Sequence, residues 1–181
     1  MAGMQKVSAT ATALLCLVTT STASSNVGRS RFRFFCNSGY SVDACGAHVA
    51  RLRDELARFE LQGFDDWSWI LVRSEDWKPI LLHVRRDPDS PAFTILERRQ
   101  TFLEEALFVR IAGRDRTLLE KWRLPLDELF GFALTHELGH AMCRETDEAR
   151  VEGYAHELRR SGAITCPDGR RGGDRAPRRR P

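Results

Sequence analysis

A chain that contains Leu134-Thr135-His136-Glu137-Leu138-Gly139-His140-Ala141-Met142 has to place two imidazoles and a carboxylate inside an apolar helix. Between residues 126 and 142 the only polar side chains besides the motif are Asp127, Glu128 and Thr135. On a helical wheel Leu126, Leu129, Phe132 and Ala133 share the face of the two histidines, and Phe130, Leu134, Leu138 and Ala141 cover the opposite one. A helix that is apolar all round is a buried helix. Burying these polar groups without partners costs several kcal/mol, and a divalent cation removes that cost directly. Gly139 costs about 1 kcal/mol relative to alanine in a helix interior, so another backbone is expected to pass close by.

The spacing of the motif sets its chemistry. His136 and His140 are one helical turn apart, so their rings leave the same face and can share one zinc ion. Glu137 lies about 100° further round the axis. There it reaches a metal-bound water more easily than the metal itself, which suits a general base. Two ligands and one base are the core of metal-assisted hydrolysis.

Cysteine usage and the N-terminus point to export. Residues 1–23 read as a secretory signal: Lys6 is the positive charge, residues 9–20 are apolar though rich in Thr, and Ser21-Thr22-Ala23 is a small-residue cleavage site. The apolar run is too short to span a bilayer, so no stable membrane insertion is expected after removal. Cleavage takes away Cys16 and leaves Cys36, Cys45, Cys143 and Cys166. Four cysteines in an oxidising compartment imply two disulfides. Of the three possible pairings, short local loops favour Cys36–Cys45 and Cys143–Cys166. Zinc-binding cysteines are disfavoured because no C-x-x-C spacing occurs.

The formal charge of +3 is carried by the ends. The last fifteen residues hold six Arg against two Asp, so the body between signal and tail is mildly acidic. That gives no support for a nucleic-acid partner. The domain plan is a signal at 1–23, a linker at 24–30, a single folded domain at 31–166 and a disordered Arg-rich tail at 167–181.

Along the body, residues 31–35 alternate weakly as a short strand, and Asn37-Ser38-Gly39 reads as a turn. Val49, Leu52, Leu56 and Phe59 recur at helical spacing, predicting an amphipathic helix over 44–61 capped by Ser41 or Asp43. His48 beside that stripe reads as a structural or surface residue. Residues 67–72, 80–84 and 92–96 are short β-rich runs separated by turns at 74–76 and 87–91, and 100–108 begins as a strand. His83 then falls in a strand as a packing residue, and Trp67, Trp69 and Trp77 read as core. Helices are predicted over 114–122, from 126 to about 143, and from 148 to about 160 after a Thr146 or Asp147 cap. The expected fold is α+β: an N-terminal helix, a short and mostly antiparallel sheet, then the buried motif helix and a ligand-bearing C-terminal helix.

A catalytic zinc needs a third protein ligand. A histidine six residues after His140 is absent, since Thr146 stands there. Glu148, Glu152 and His156 share one face of the last helix and can turn back onto the motif. Here the chain resembles the gluzincin metallopeptidases, through His136-Glu137-Leu138-Gly139-His140 and the following helix that begins Glu148-Ala149-Arg150-Val151-Glu152. The resemblance covers about 30 residues. It implies a small zincin-like domain in which Glu148 completes the zinc site and Glu152 orients a ligating histidine. The gap from His140 to Glu148 is short, and Val151 and Glu152 stand where small and Asp residues are usual, so Glu152 stays open as the alternative ligand.

These readings converge on an exported (secreted or periplasmic), monomeric zinc metallopeptidase acting on peptides or proteins, with Glu137 as base. Tyr154 is either a nearby donor for an oxyanion or a packed aromatic, and the resemblance implies an edge strand that pairs with an extended peptide, which by analogy falls at residues 101–107. Two other classes stay in view: an exported binding or scaffold domain with a structural zinc, and a disulfide-stapled interaction domain with an accidental motif. A base has no use in either.

Overall fold

A strand with no polar alternation belongs in the middle of a sheet covered on both faces, and β2 (Ser68–Val72) is buried at every residue. In the computed structural model, which describes residues 32–61, 64 and 66–167, β2 lies between β1 (Arg33–Cys36) and β4 (Gln100–Glu104), parallel to both. β3 (Ala92–Ile95) closes the other edge antiparallel to β4, giving the order β1-β2-β4-β3. Phe34, Trp69, Thr101 and Thr94 stand in one row across the sheet. The signal at 1–23 with Cys16, the linker at 24–30 and the Arg-rich tail after Pro167 lie outside the described residues.

The domain is α+β, but the expectation of a mostly antiparallel sheet is overturned, since two of the three pairings are parallel. The cause is residues 80–84, which are not a strand. They belong mostly to helix α2 (Ser74–His83), where Glu75 and Asp76 occupy the first turn and Trp77 and Leu81, four apart, are buried. Acidic residues at a helix N-terminus are favoured by the exposed amides and dipole there. With a helix between them, β2 and its later partner cannot form a hairpin and must pair through a crossover. Helix α1 (Val42–Leu56) does the same between β1 and β2. It starts where Ser41 caps it, accepting from the Ala44 amide at 3.2 Å, and ends five residues before the expected boundary.

Two apolar layers sandwich the sheet. On one face Ile70, Val72 and Phe93 meet Trp77 and Leu81 of α2. On the other, Trp69, Leu71 and Leu103 meet Val49 and Leu52 of α1 and Leu134 and Leu138 of helix α4 (Leu126–Cys143). Trp67, Trp69 and Trp77 are core residues as expected. His48 is buried and stacks on Phe108 at 4.9 Å, and burial lowers its pKa, which suits a neutral structural ring. His83, expected to pack within a strand, is instead exposed at the end of α2. Helix α3 (Arg114–Trp122) ties down the loop between α2 and β3 through Lys121–Asp87 at 2.6 Å and Arg114–Asp89 at 3.6 Å.

Helix α5 (Glu148–Ser161) begins at the Asp147 cap and returns along α4. Gly139 makes the close approach possible: a β-carbon there would stand 3.2 Å from the Val151 carbonyl oxygen and 3.3 Å from Tyr154 Cβ. Both favoured disulfides form, Cys36–Cys45 between β1 and α1 and Cys143–Cys166 between the end of α4 and the chain beyond α5. Among the described residues no helix is long and apolar enough to cross a membrane.

Candidate metal centre

The two histidines leave α4 on the face that looks towards β3 and the start of α5. Glu148 arrives opposite them because α4 stops abruptly. Arg144 takes a left-handed conformation (φ 52°) at the helix end, and the Glu145 carboxylate accepts the Thr146 and Asp147 amides at 2.9 and 3.0 Å. Those two amides hold the Glu145 carboxyl below its ordinary pKa. This turn closes the short gap between His140 and Glu148.

Glu148 Oε2 lies 3.1 Å from His136 Nε2 and 3.5 Å from His140 Nε2. Donor atoms held about 2.0–2.1 Å from one tetrahedral ion stand roughly 3.3 Å apart. His136, His140 and Glu148 therefore form a group that could hold a metal ion, and it is the one such His/Cys/Asp/Glu group among the described residues. Without an ion the shorter contact is a hydrogen bond between imidazole and carboxylate.

The outer nitrogens are also placed. His140 Nδ1–H donates to the Glu145 carbonyl at 2.8 Å, which leaves Nε2 with its lone pair towards the group. His136 Nδ1 is buried with no hydrogen-bond partner, and Glu152 Oε2 stands 3.5 Å from it. An outer hydrogen bond such as that of His140 sets the tautomer and aim of a ligating histidine. Glu148 is the carboxylate within the group, and Glu152 lies on the outer side of His136. His156 is exposed and faces Glu152 at 3.7 Å, away from the group.

Glu137 points into the protein. It is 5% exposed, and its Oε2 is buried with no hydrogen-bond partner. Burial pushes its pKa up to about 7, against the pull of nearby His140 and of the Thr94 hydroxyl. A buried carboxyl with an unpartnered oxygen beside two imidazoles suits a cation and a water that the chain's own groups do not replace.

The group lies in a cavity of ≈ 400 Å³. β3 forms one wall, His136, Glu137 and His140 another, and Leu96, Trp122, Leu129 and Phe132 an apolar side. Arg86 also lines it, and its charge reaches Glu137. Two sequence expectations are corrected here. Residues 101–107 do not supply the edge strand, because β4 lies inside the sheet between β2 and β3, and the edge at the cavity is β3. Tyr154 packs over Gly139 and is not among the residues lining the cavity.

Sequence reasoning missed Thr94, Arg86 and Trp122. Thr94 on β3 and Arg86 in the loop before it reach α4 through the sheet order, Trp122 ends the helix just ahead of α4, and only Thr94 carries a signal, as a polar residue in an apolar strand. Comparison with family models, with curated proteins and with solved structures gave no match to this chain.

Proposed function

We propose that this chain is a zinc-dependent hydrolase, an exported metallopeptidase of gluzincin type, in which His136, His140 and Glu148 hold the metal and Glu137 is the general base. The observation that carries the reading is the convergence of those three ligand atoms beside a buried carboxylate with an unpartnered oxygen, at the floor of a cavity. His136, His140 and Glu148 would hold the ion, which when bound would supply Lewis-acid chemistry to a water and a carbonyl.

The chain's own groups do the rest. Glu137 takes a proton from the attacking water and returns it to the leaving amine, a task matched by a carboxyl whose pKa burial has already raised. The Glu145 carbonyl holds the His140 imidazole in register through Nδ1, and Glu152 stands 3.5 Å behind His136 Nδ1. The free edge of β3 gives an extended peptide a backbone to pair with. The apolar side of the cavity takes a large apolar side chain next to the cleaved bond, and Trp122→Ala is expected to erode that preference about tenfold or more, read as a ratio of kcat/KM between Phe- and Ala-containing peptides.

The test is metal content together with cleavage of a mixed peptide library. About one zinc per chain is expected, with cleavage lost to a chelator and restored by zinc. Glu148→Gln should strip the metal, whereas Glu152→Gln should weaken it about 10–100-fold. Less than about 0.2 zinc per chain after careful purification would sink the proposal in favour of an accidental motif. Stoichiometric zinc with no cleavage of any peptide would favour a structural site.

A further inference from the structure

Thr94 and Thr101 face each other directly across the β3–β4 pair, with their hydroxyl oxygens 2.8 Å apart. Trp67, just before β2, donates its indole N–H to Thr101 Oγ1 at 3.0 Å. All three residues are buried, and the far hydroxyl, Thr94, is the one within hydrogen-bonding reach of Glu137.

One end of this chain has a fixed direction. An indole nitrogen can only donate, so Thr101 accepts from Trp67. Thr94 has a single proton and lines the same cavity as Glu137, so when it gives that proton to Glu137 the hydrogen bond between the two threonines has Thr101 as its donor. A buried chain of hydrogen bonds that all point one way polarises its members cooperatively. Its anchor is the sheet itself, so the last donor is held by β3 and β4 and not by the helix that carries Glu137.

We infer that Thr94 is a positioning residue for Glu137, and that Trp67 and Thr101 hold its hydroxyl in the donating orientation. One carboxylate oxygen is thereby tied to β3 while Oε2 stays buried without a partner, so that β3 serves as both the peptide-binding edge and the support of the base. This rests on the metallopeptidase reading above. It adds a set of residues outside the motif and outside both ligand helices.

The test uses the purified chain loaded with Co²⁺ in place of zinc, whose visible spectrum responds to the water and carboxylate around the ion. Wild type, Thr94→Val, Thr94→Ser, Thr101→Val and Glu137→Gln are compared for metal content, unfolding temperature and spectrum. Thr94→Val should keep full cobalt while its spectrum moves towards that of Glu137→Gln. Thr94→Ser, which keeps the hydroxyl, should return it towards wild type, and Thr101→Val should fall between. Where peptide cleavage is measured, Thr94→Val should lower kcat about 10–100-fold with KM within a factor of two, the signature of a misaimed group. A Thr94→Val spectrum identical to wild type, with Glu137→Gln shifted, overturns the positioning role alone. A Glu137→Gln spectrum identical to wild type overturns it together with the aim of the base. Failure to bind cobalt overturns both this inference and the reading beneath it.

Discussion

Exchanging Glu137 for Gln is expected to lower peptide cleavage by about 10²–10⁴-fold, the range a general base contributes, and to leave about one zinc per chain. The carboxamide has nearly the same shape and can still accept from Thr94, but it cannot take up a proton. The metal should stay because Glu137 is not one of the three residues whose ligand atoms converge. Measured on the zinc-loaded protein, the loss should fall on kcat. Cleavage that survived the change at near its original rate would remove Glu137 from the mechanism.

The same substitution has an opposite sign in the metal-free protein. Burial raises the Glu137 pKa in the folded state from the ordinary 4.5 to about 7. Between those values the folded chain binds more protons than the unfolded one, so stability falls as pH rises through that window. Glutamine does not titrate. Metal-free Glu137→Gln should therefore unfold at a higher temperature than metal-free wild type at pH 8, and the gap should close towards pH 4. A gap independent of pH would mean that the carboxyl is not desolvated as the structure has it.

What could be read from the chain was local. His136, Glu137 and His140 lie within one and a half turns, so helical geometry alone joins them, and Glu148 follows after a turn too short to wander. The two disulfides close loops of 9 and 23 residues, where proximity along the chain stands in for proximity in space. Residues 74–84 were misread because Pro79 and the Ile80-Leu81-Leu82 run mask a helix whose evidence is the Trp77–Leu81 pair. A strand at 80–84 makes the sheet read as mostly antiparallel, whereas the edge at 101–107 rests on analogy with the resembled family alone. Thr94 and Arg86 could not be found by pattern, because they meet the cavity only through the order in which four strands line up, and Trp122 meets it through the packing of α3 on α4.

Gly139 is where packing and chemistry depend on the same atom, and changing it to Val is expected to lower stability by about 3 kcal/mol and to release the metal. A side chain at this position should gain about 1 kcal/mol or less of helix propensity over glycine. Against that, its β-carbon meets the Val151 carbonyl oxygen at 3.2 Å and Val151 Cγ1 at 3.3 Å. The carbonyl belongs to the α5 backbone and cannot turn aside as a side chain end can, so relief has to come from moving α5 off α4. Overpacking of this kind costs about 1–3 kcal/mol. Moving α5 also carries Glu148 away from His136 and His140, whose present separations of 3.1 and 3.5 Å leave little slack. Alanine tests the same point more gently: Gly139→Ala should still fold, with its Tm down by a few degrees and its zinc affinity down about tenfold or more. The decisive comparison is with Gly153→Ala on the far side of α5, where a β-carbon meets nothing within 4 Å. That variant should gain up to about 1 kcal/mol and keep its zinc. Equal zinc affinity in the two alanine variants would show that the approach of α5 to Gly139 does not set the position of Glu148.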